Sequence, residues 1–171
     1  MIPETVSALQ LTPLSDTQAR AYIFRRMLEE GLARIVQYQL PAPSLDVWLA
    51  HTAPDKAWPA VVCMGERLAA AVWFTDFAGK TAFAHFVIFR GFGHLSAPIC
   101  HLASQWAFSG GLVCLMGIIP AVNRAAIASM RAGGWREIFR IPQVCFVHRL
   151  GRHVDGVLCH FTPTLLHEVT Q

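Results

Sequence analysis

The sequence predicts an α+β fold, a mostly antiparallel sheet of about six or seven strands with helices packed against it. Three observations carry that prediction. The segments "WPAVVCM", "RLAAAVWFT" and "TAFAHFVIF" are separated only by "GE" and "DFAGK", spacers of hairpin length. Helical periodicity lies before and after this block and not between its strands, so the alternation of a parallel β–α–β sheet is missing. Further on, "LVCLMGII" is apolar on both faces, as a central covered strand is.

The elements follow in order. Val6 to Leu11 is a short first strand. "TPLSDTQARAYIFRRMLEE" is a helix with Ser15 or Asp16 as its N-cap, an apolar stripe of Ala19, Ile23, Met27 and Leu28, and Gly31 at its end. "LARIVQYQL" is a second helical piece stopped by Pro41 and Pro43, and "SLDVWLAHT" a short third one. The three-stranded meander comes next, then the loop "FRGFGHLS". After it, Ile99, Leu102, Ala103, Trp106 and Ala107 share one helical face, and Gly110-Gly111 ends that helix. Pro120 closes the covered strand. Asn123 caps the helix "RAAIASMRA", which Gly133-Gly134 terminates with one glycine at positive φ. "WREIFRI" and "QVCFVHRL" read as a final strand pair, and "HVDGVLCHFTPTLLHEV" as one more strand and a short helix. No linker or repeat interrupts the 171 residues, so residues 1–171 are read as one domain.

Composition excludes several classes of function. The chain is 54% hydrophobic and 15% charged, and no Asp, Glu, Lys or Arg occurs between Arg90 and Arg124. Glycines, Pro98, Pro120, His94, Ser96, His101, Ser104 and Gln105 interrupt that stretch. The ~20 apolar residues of a spanning helix are therefore absent, and no membrane association is expected. "MIPETVSALQ" lacks the basic start and apolar core of a signal peptide, which favours a cytoplasmic protein. The five cysteines are odd in number and scattered, as reduced core-filling thiols are. A net charge of +3 is too mild to imply nucleic acid. Cys100-His101 and Cys159-His160 lack metal-ligand spacing, so no metal is expected.

The glycine loop carries the chemistry. A loop joining a strand to a helix N-terminus exposes backbone N–H groups with the helix dipole behind them, and glycine lets a phosphate approach the main chain. A dinucleotide-binding fold would add a third glycine and parallel β–α units, and a nucleotide P-loop would add Gly-Lys-Ser/Thr. Neither pattern is present.

The meander, Arg90-Gly91-Phe92-Gly93, a helix, an apolar strand, and "NRAAIASMRAGGW" from Asn123 to Trp135 together resemble the GNAT superfamily of N-acetyltransferases. The resemblance is best over residues 81–135. It implies a sheet splayed between its fourth and fifth strands, acetyl-CoA as co-substrate, and direct attack of an amine on the thioester. It places the pyrophosphate on the segment Arg90, Gly91, Phe92, Gly93, His94, Leu95 and Ser96, and the pantetheine arm along Phe83, Ala84 and His85. Asn123 joins this cofactor-binding set. The run Arg124, Arg131, Arg136, Arg140, Arg149 and Arg152 reads first as a solvated face; alternatively one or two of them meet the 3′-phosphate of CoA, or an acidic partner.

The pattern is also broken in places. Leu95 stands where the family carries Gly or Ala and is expected to crowd the pyrophosphate. Met130 occupies the position of a tyrosine that protonates the leaving thiolate, and Ile118 that of a glutamate. His85 is the candidate general base, with a hydrogen-bonded core histidine as the other reading. His148, Asp155 and Cys145 are weaker candidates for substrate contacts. Two functions stay open: an N-acetyltransferase acting on a small-molecule or protein amine, and a catalytically degenerate GNAT-like binding protein, phage-associated or of prophage origin. The second would bind a phage or host protein, and a homodimer fits either.

Overall fold

A computed structural model of the chain describes residues 8–171. The elements in order are β1 (Leu9–Pro13), α1 (Thr17–Glu29), α2 (Ala33–Val36), α3 (Leu45–His51), β2 (Trp58–Met64), β3 (Arg67–Ala78) and β4 (Thr81–Ile88). They continue with α4 (Ser96–Ser109), β5 (Cys114–Pro120), α5 (Arg124–Ala132), β6 (Arg136–Val147), β7 (Arg152–Phe161) and α6 (Pro163–Thr170). The expected first strand is present as β1, and the part of that expectation on Val6 and Ser7 lies outside the described residues.

The seven strands form one mixed sheet in the order β1-β2-β3-β4-β5-β7-β6. Every neighbouring pair is antiparallel except β4 and β5, which run parallel. Alternation along β3 sets the two layers. Ala71 and Trp73 face α1 and α3, packing with Ile23, Phe24, Met27 and Trp48. Val72 and Phe74 face the other way, toward Ala103 and Ala107 of α4, Ile127 of α5 and Leu165 of α6. No helix of the described residues is long and apolar enough to cross a membrane, and the five cysteines are free.

Local sequence accounts for the helix ends that frame the site. The carboxylate of Asp16 accepts from the Ala19 N–H at 2.6 Å, and the side chain of Asn123 from the Ala126 N–H at 3.2 Å. Gly134 lies at φ +79, and a Cβ there would sit 2.4 Å from Val169 of α6. Glycine is thus required at that corner twice over, by conformation and by close packing.

Three expectations need correction. The helix read over "LARIVQYQL" is a single turn, α2, and the chain from Gln37 to Ser44 is irregular. The turn "DFAGK" is smaller than expected, because Asp76 to Ala78 stay in β3 around a bulge with Asp76 at φ +51. "WREIFRI" and "QVCFVHRL" are not a strand pair. They form one strand, β6, running through Pro142 with a register shift between Ile141 and Cys145, and its partner is β7. β6 is an edge strand, where a proline's missing N–H breaks no ladder, and the bulge absorbs the rest.

Candidate active site

The central feature is a fork. β4 and β5 pair only over Thr81–Phe83 with Cys114–Met116. Beyond that, β3 holds β4 as far as Ile88 and β7 holds β5 as far as Pro120, with no pairing between the two arms. A cavity of about 390 Å³ lies against the fork. Ala84 to Ile88 line it in unbroken succession from one arm, and Gly117 to Pro120 from the other. Side chains alternate faces along a strand, so consecutive residues meet one cavity only because the facing strand edges are bare. α2 and its following turn add Leu32, Ile35, Val36 and Tyr38, α5 adds Ala126, Ser129 and Met130, and the glycine loop adds Gly93.

His85 opens on this cavity and is held from behind. Its ring stacks on Trp73 at 5.2 Å between centroids and 9° between planes. Its Nε2 lies 2.9 Å from the Thr75 hydroxyl, which donates to the Asp76 carboxylate at 2.8 Å. A hydroxyl that spends its one proton on a carboxylate can only accept from the ring. Nε2 therefore carries the hydrogen, and Nδ1 is the basic nitrogen. Burial pushes the His85 pKa down to about 4, the edge-on ring of exposed His51 at 5.3 Å adds to that, and Asp76 opposes it. At neutral pH the imidazole is uncharged.

The glycine loop stands at the mouth of the fork. Gly91 adopts φ +86. Three of its main-chain N–H groups are used locally: Phe92 donates to Phe89, Leu95 to Phe92, and Ser96 to Gly93. Those of Gly91, Gly93 and His94 have no acceptor among the described residues. A Cβ built on Gly93 would meet nothing within 4 Å. Leu95 does not fill that space, because its side chain packs against the α1-side core. Phe92 is buried with the Arg67 guanidinium 4.7 Å over its ring, and His94 is exposed. Arg90 turns toward α1: its main-chain N–H donates to the Glu30 carboxylate at 2.7 Å and its guanidinium to the Glu30 carbonyl at 3.1 Å. α4 begins at the same corner without a side-chain cap; within its first turn Ser96 donates back to Gly93 and Pro98 carries no N–H.

The remaining candidates divide. Ala84, His85, Gly93 and Asn123 meet at the cavity, while Phe83 sits at the crotch of the fork, opposite Met116. Ile118 and Met130 also line it, so the two replaced family positions do face the site. Cys145, His148 and Asp155 stay outside the cavity wall. Cys145 lies 3.8 Å from the Tyr38 hydroxyl, the His148 N–H donates to the Tyr38 carbonyl, and Asp155 accepts from the Gln143 N–H. Cys145 and His148 hold Tyr38, a cavity residue the sequence did not single out, whose hydroxyl is kept protonated by burial. Thr75 was likewise missed.

No family model matches the sequence, and no curated protein matches it. Solved structures do. One is the spermidine N-acetyltransferase of Vibrio cholerae in complex with CoA and spermine. It is 15% identical over 93% of this chain and 98% of that one, with a TM-score of 0.75. Another is Mycobacterium smegmatis RimJ in complex with CoA-disulfide, 15% identical over 96% of this chain and 89% of that one, with a TM-score of 0.72. These likenesses span nearly the whole chain and include the parallel step between β4 and β5. The chain has the GNAT N-acetyltransferase fold.

Proposed function

We propose that the chain is an acetyl-CoA-dependent N-acetyltransferase that works by direct attack of an amine on the thioester. The observation that carries this reading is the bare-edged fork with an uncharged histidine inside it and an open glycine corner at its mouth. The N–H groups of Gly91, Gly93 and His94, with the uncapped start of α4, suit a diphosphate. The unpaired main chain from Ala84 onward suits the amide groups of pantetheine, as an added strand would. The Vibrio cholerae structure is a complex with CoA and the Mycobacterium smegmatis one a complex with CoA-disulfide, which supports the same donor here.

Within this reading, His85 takes the proton released by the attacking amine through Nδ1, directly or through one water. Thr75 and Asp76 fix its tautomer and orientation. A main-chain N–H on the bare edge of β4 stabilises the developing oxyanion, and positioning supplies much of the remaining rate. Met130 offers no proton to the leaving thiolate. A thiol with an ordinary pKa of about 8.5 departs largely without one.

Acetyl-CoA titration followed by thermal unfolding tests the proposal. A ligand at 100 times its Kd should stabilise the fold by about 2.7 kcal/mol. No shift at millimolar acetyl-CoA removes the acetyltransferase reading and leaves a protein that acts by binding.

A further inference from the structure

We propose, resting on the acetyl-transfer reading, that the acceptor is an uncharged, weakly basic amine on a flat apolar body, an arylamine rather than a polyamine or a lysine side chain. The composition of the cavity wall carries this inference. Among the described residues, no Asp or Glu lines the cavity. Asp76 is linked to the cavity only through the Thr75 hydroxyl and His85. An alkylammonium, with a pKa of about 10.4 as in lysine, would have to enter without a counter-charge or lose its proton first.

The polar atoms that are present point the same way. The indole N–H groups of Trp73 and Trp135 are buried without an acceptor, on residues only 2% and 7% exposed, and both residues line the cavity. Both nitrogens are closed to the cavity and the Tyr38 hydroxyl is turned to Cys145, so these residues offer it carbon rather than polar atoms. An ammonium brings three donors, and no side-chain carboxylate among the described residues lining the cavity takes them. Carbonyls on the bare strand edges can hydrogen-bond a cation but leave its charge unbalanced. A neutral aromatic amine brings a flat π face that packs against aromatic side chains such as Trp73 and Trp135.

Shape agrees with charge. Trp73 and His85 form one stacked unit, and Phe86 meets Trp135 edge-on at 6.1 Å. Ile35, Val36 and Ile118 complete an apolar surround. The base is matched to this acceptor as well. A histidine pushed down to about 4 is too weak to strip an alkylammonium, whereas an arylamine is already neutral at pH 7 and loses its proton only after attack.

The test uses the full chain and acetyl-CoA, following thiol release with aniline and p-anisidine against spermidine and acetyl-capped lysine. The arylamines should be preferred by about 10²-fold or more in kcat/KM, the scale set by an unpaired buried charge. Preference for spermidine or lysine overturns the acceptor assignment and leaves acetyl transfer standing. If acetyl-CoA stabilises the chain but no acceptor reacts, calorimetry on the CoA complex decides: binding of aniline without spermidine upholds the assignment, and any other result overturns it. Absence of both turnover and an acetyl-CoA shift removes the parent reading and this one together. In Ile118→Glu, which returns a carboxylate to the wall, the ratio should move at least ~10-fold toward spermidine. An unchanged ratio means wall charge does not set the choice, and overturns the assignment.

Discussion

The two arms of the fork are built to opposite specifications. The β4 arm carries the hydrogen-bonded group, His85 with Thr75 and Asp76, and leads into a glycine corner with open space beside Gly93. The β5 arm presents Gly117, Ile118, Ile119 and Pro120 to the cavity and leads through α5 into a glycine corner that is packed shut, Gly134 against Val169. Similar residues serve different ends. A glycine that neither φ nor packing demands keeps room for something else, and a glycine demanded by both closes the fold. Chemistry is concentrated on one arm and the other supplies shape.

The sharpest way to break this contrast is to remove the proposed base. His85→Gln should lower kcat by ~10²–10⁴-fold while the acetyl-CoA-induced thermal shift survives. Equal turnover would strip the β4 arm of its catalytic role. The two corners offer the next test. Gly134→Ala should cost about 2–5 kcal/mol in denaturant unfolding, combining left-handed strain with the clash on Val169. Gly93→Val should leave the apo fold within about 1 kcal/mol of the parent and abolish the acetyl-CoA shift, because its side chain would grow into space no other residue fills. Matching behaviour of the two variants would erase the distinction between them.

A smaller effect sharpens the contrast through pH. Folded His85 binds its proton at about 4 and the unfolded residue at about 6.5. Between those values the unfolded chain holds more protons, so stability is full above pH 6.5 and falls by roughly 3 kcal/mol as pH drops through 4. The stabilities of the parent and of His85→Gln, measured across this window, should change by amounts that differ by that total. Parallel curves would mean that His85 is not held uncharged.

Much of the fold was legible because its signals are local. The β2–β3 hairpin, the stripe of α4, Asn123 as a cap and Gly133-Gly134 as a stop all depend on neighbouring residues and are found where the spacing puts them, whereas Leu28 of the expected α1 stripe is exposed. β6 was misread because the meaning of Pro142 depends on whether the strand lies at an edge, which only tertiary structure decides. The site divides in the same way. His85 and Gly93 announce themselves by residue type and motif. Thr75 gains importance only from β3–β4 register, which brings it across from the His85 strand. Tyr38 sits in a segment whose helical spacing the chain abandons after one turn, because contacts with Cys145 and His148 pull it elsewhere.

The clasp between Arg90 and Glu30 has a consequence for how such a protein can change. Glu30 ends α1, also pairs with Arg26 at 2.7 Å, and directly precedes the segment that gives the cavity Leu32, Ile35, Val36 and Tyr38. One helix end therefore suspends both the wall that would choose the amine and the corner that would hold the phosphates. The two specificities are not interchangeable modules: transplanting α1 and α2 from a protein of the same fold to alter the acceptor side would also re-hang the glycine corner, unless Glu30 travelled with the graft.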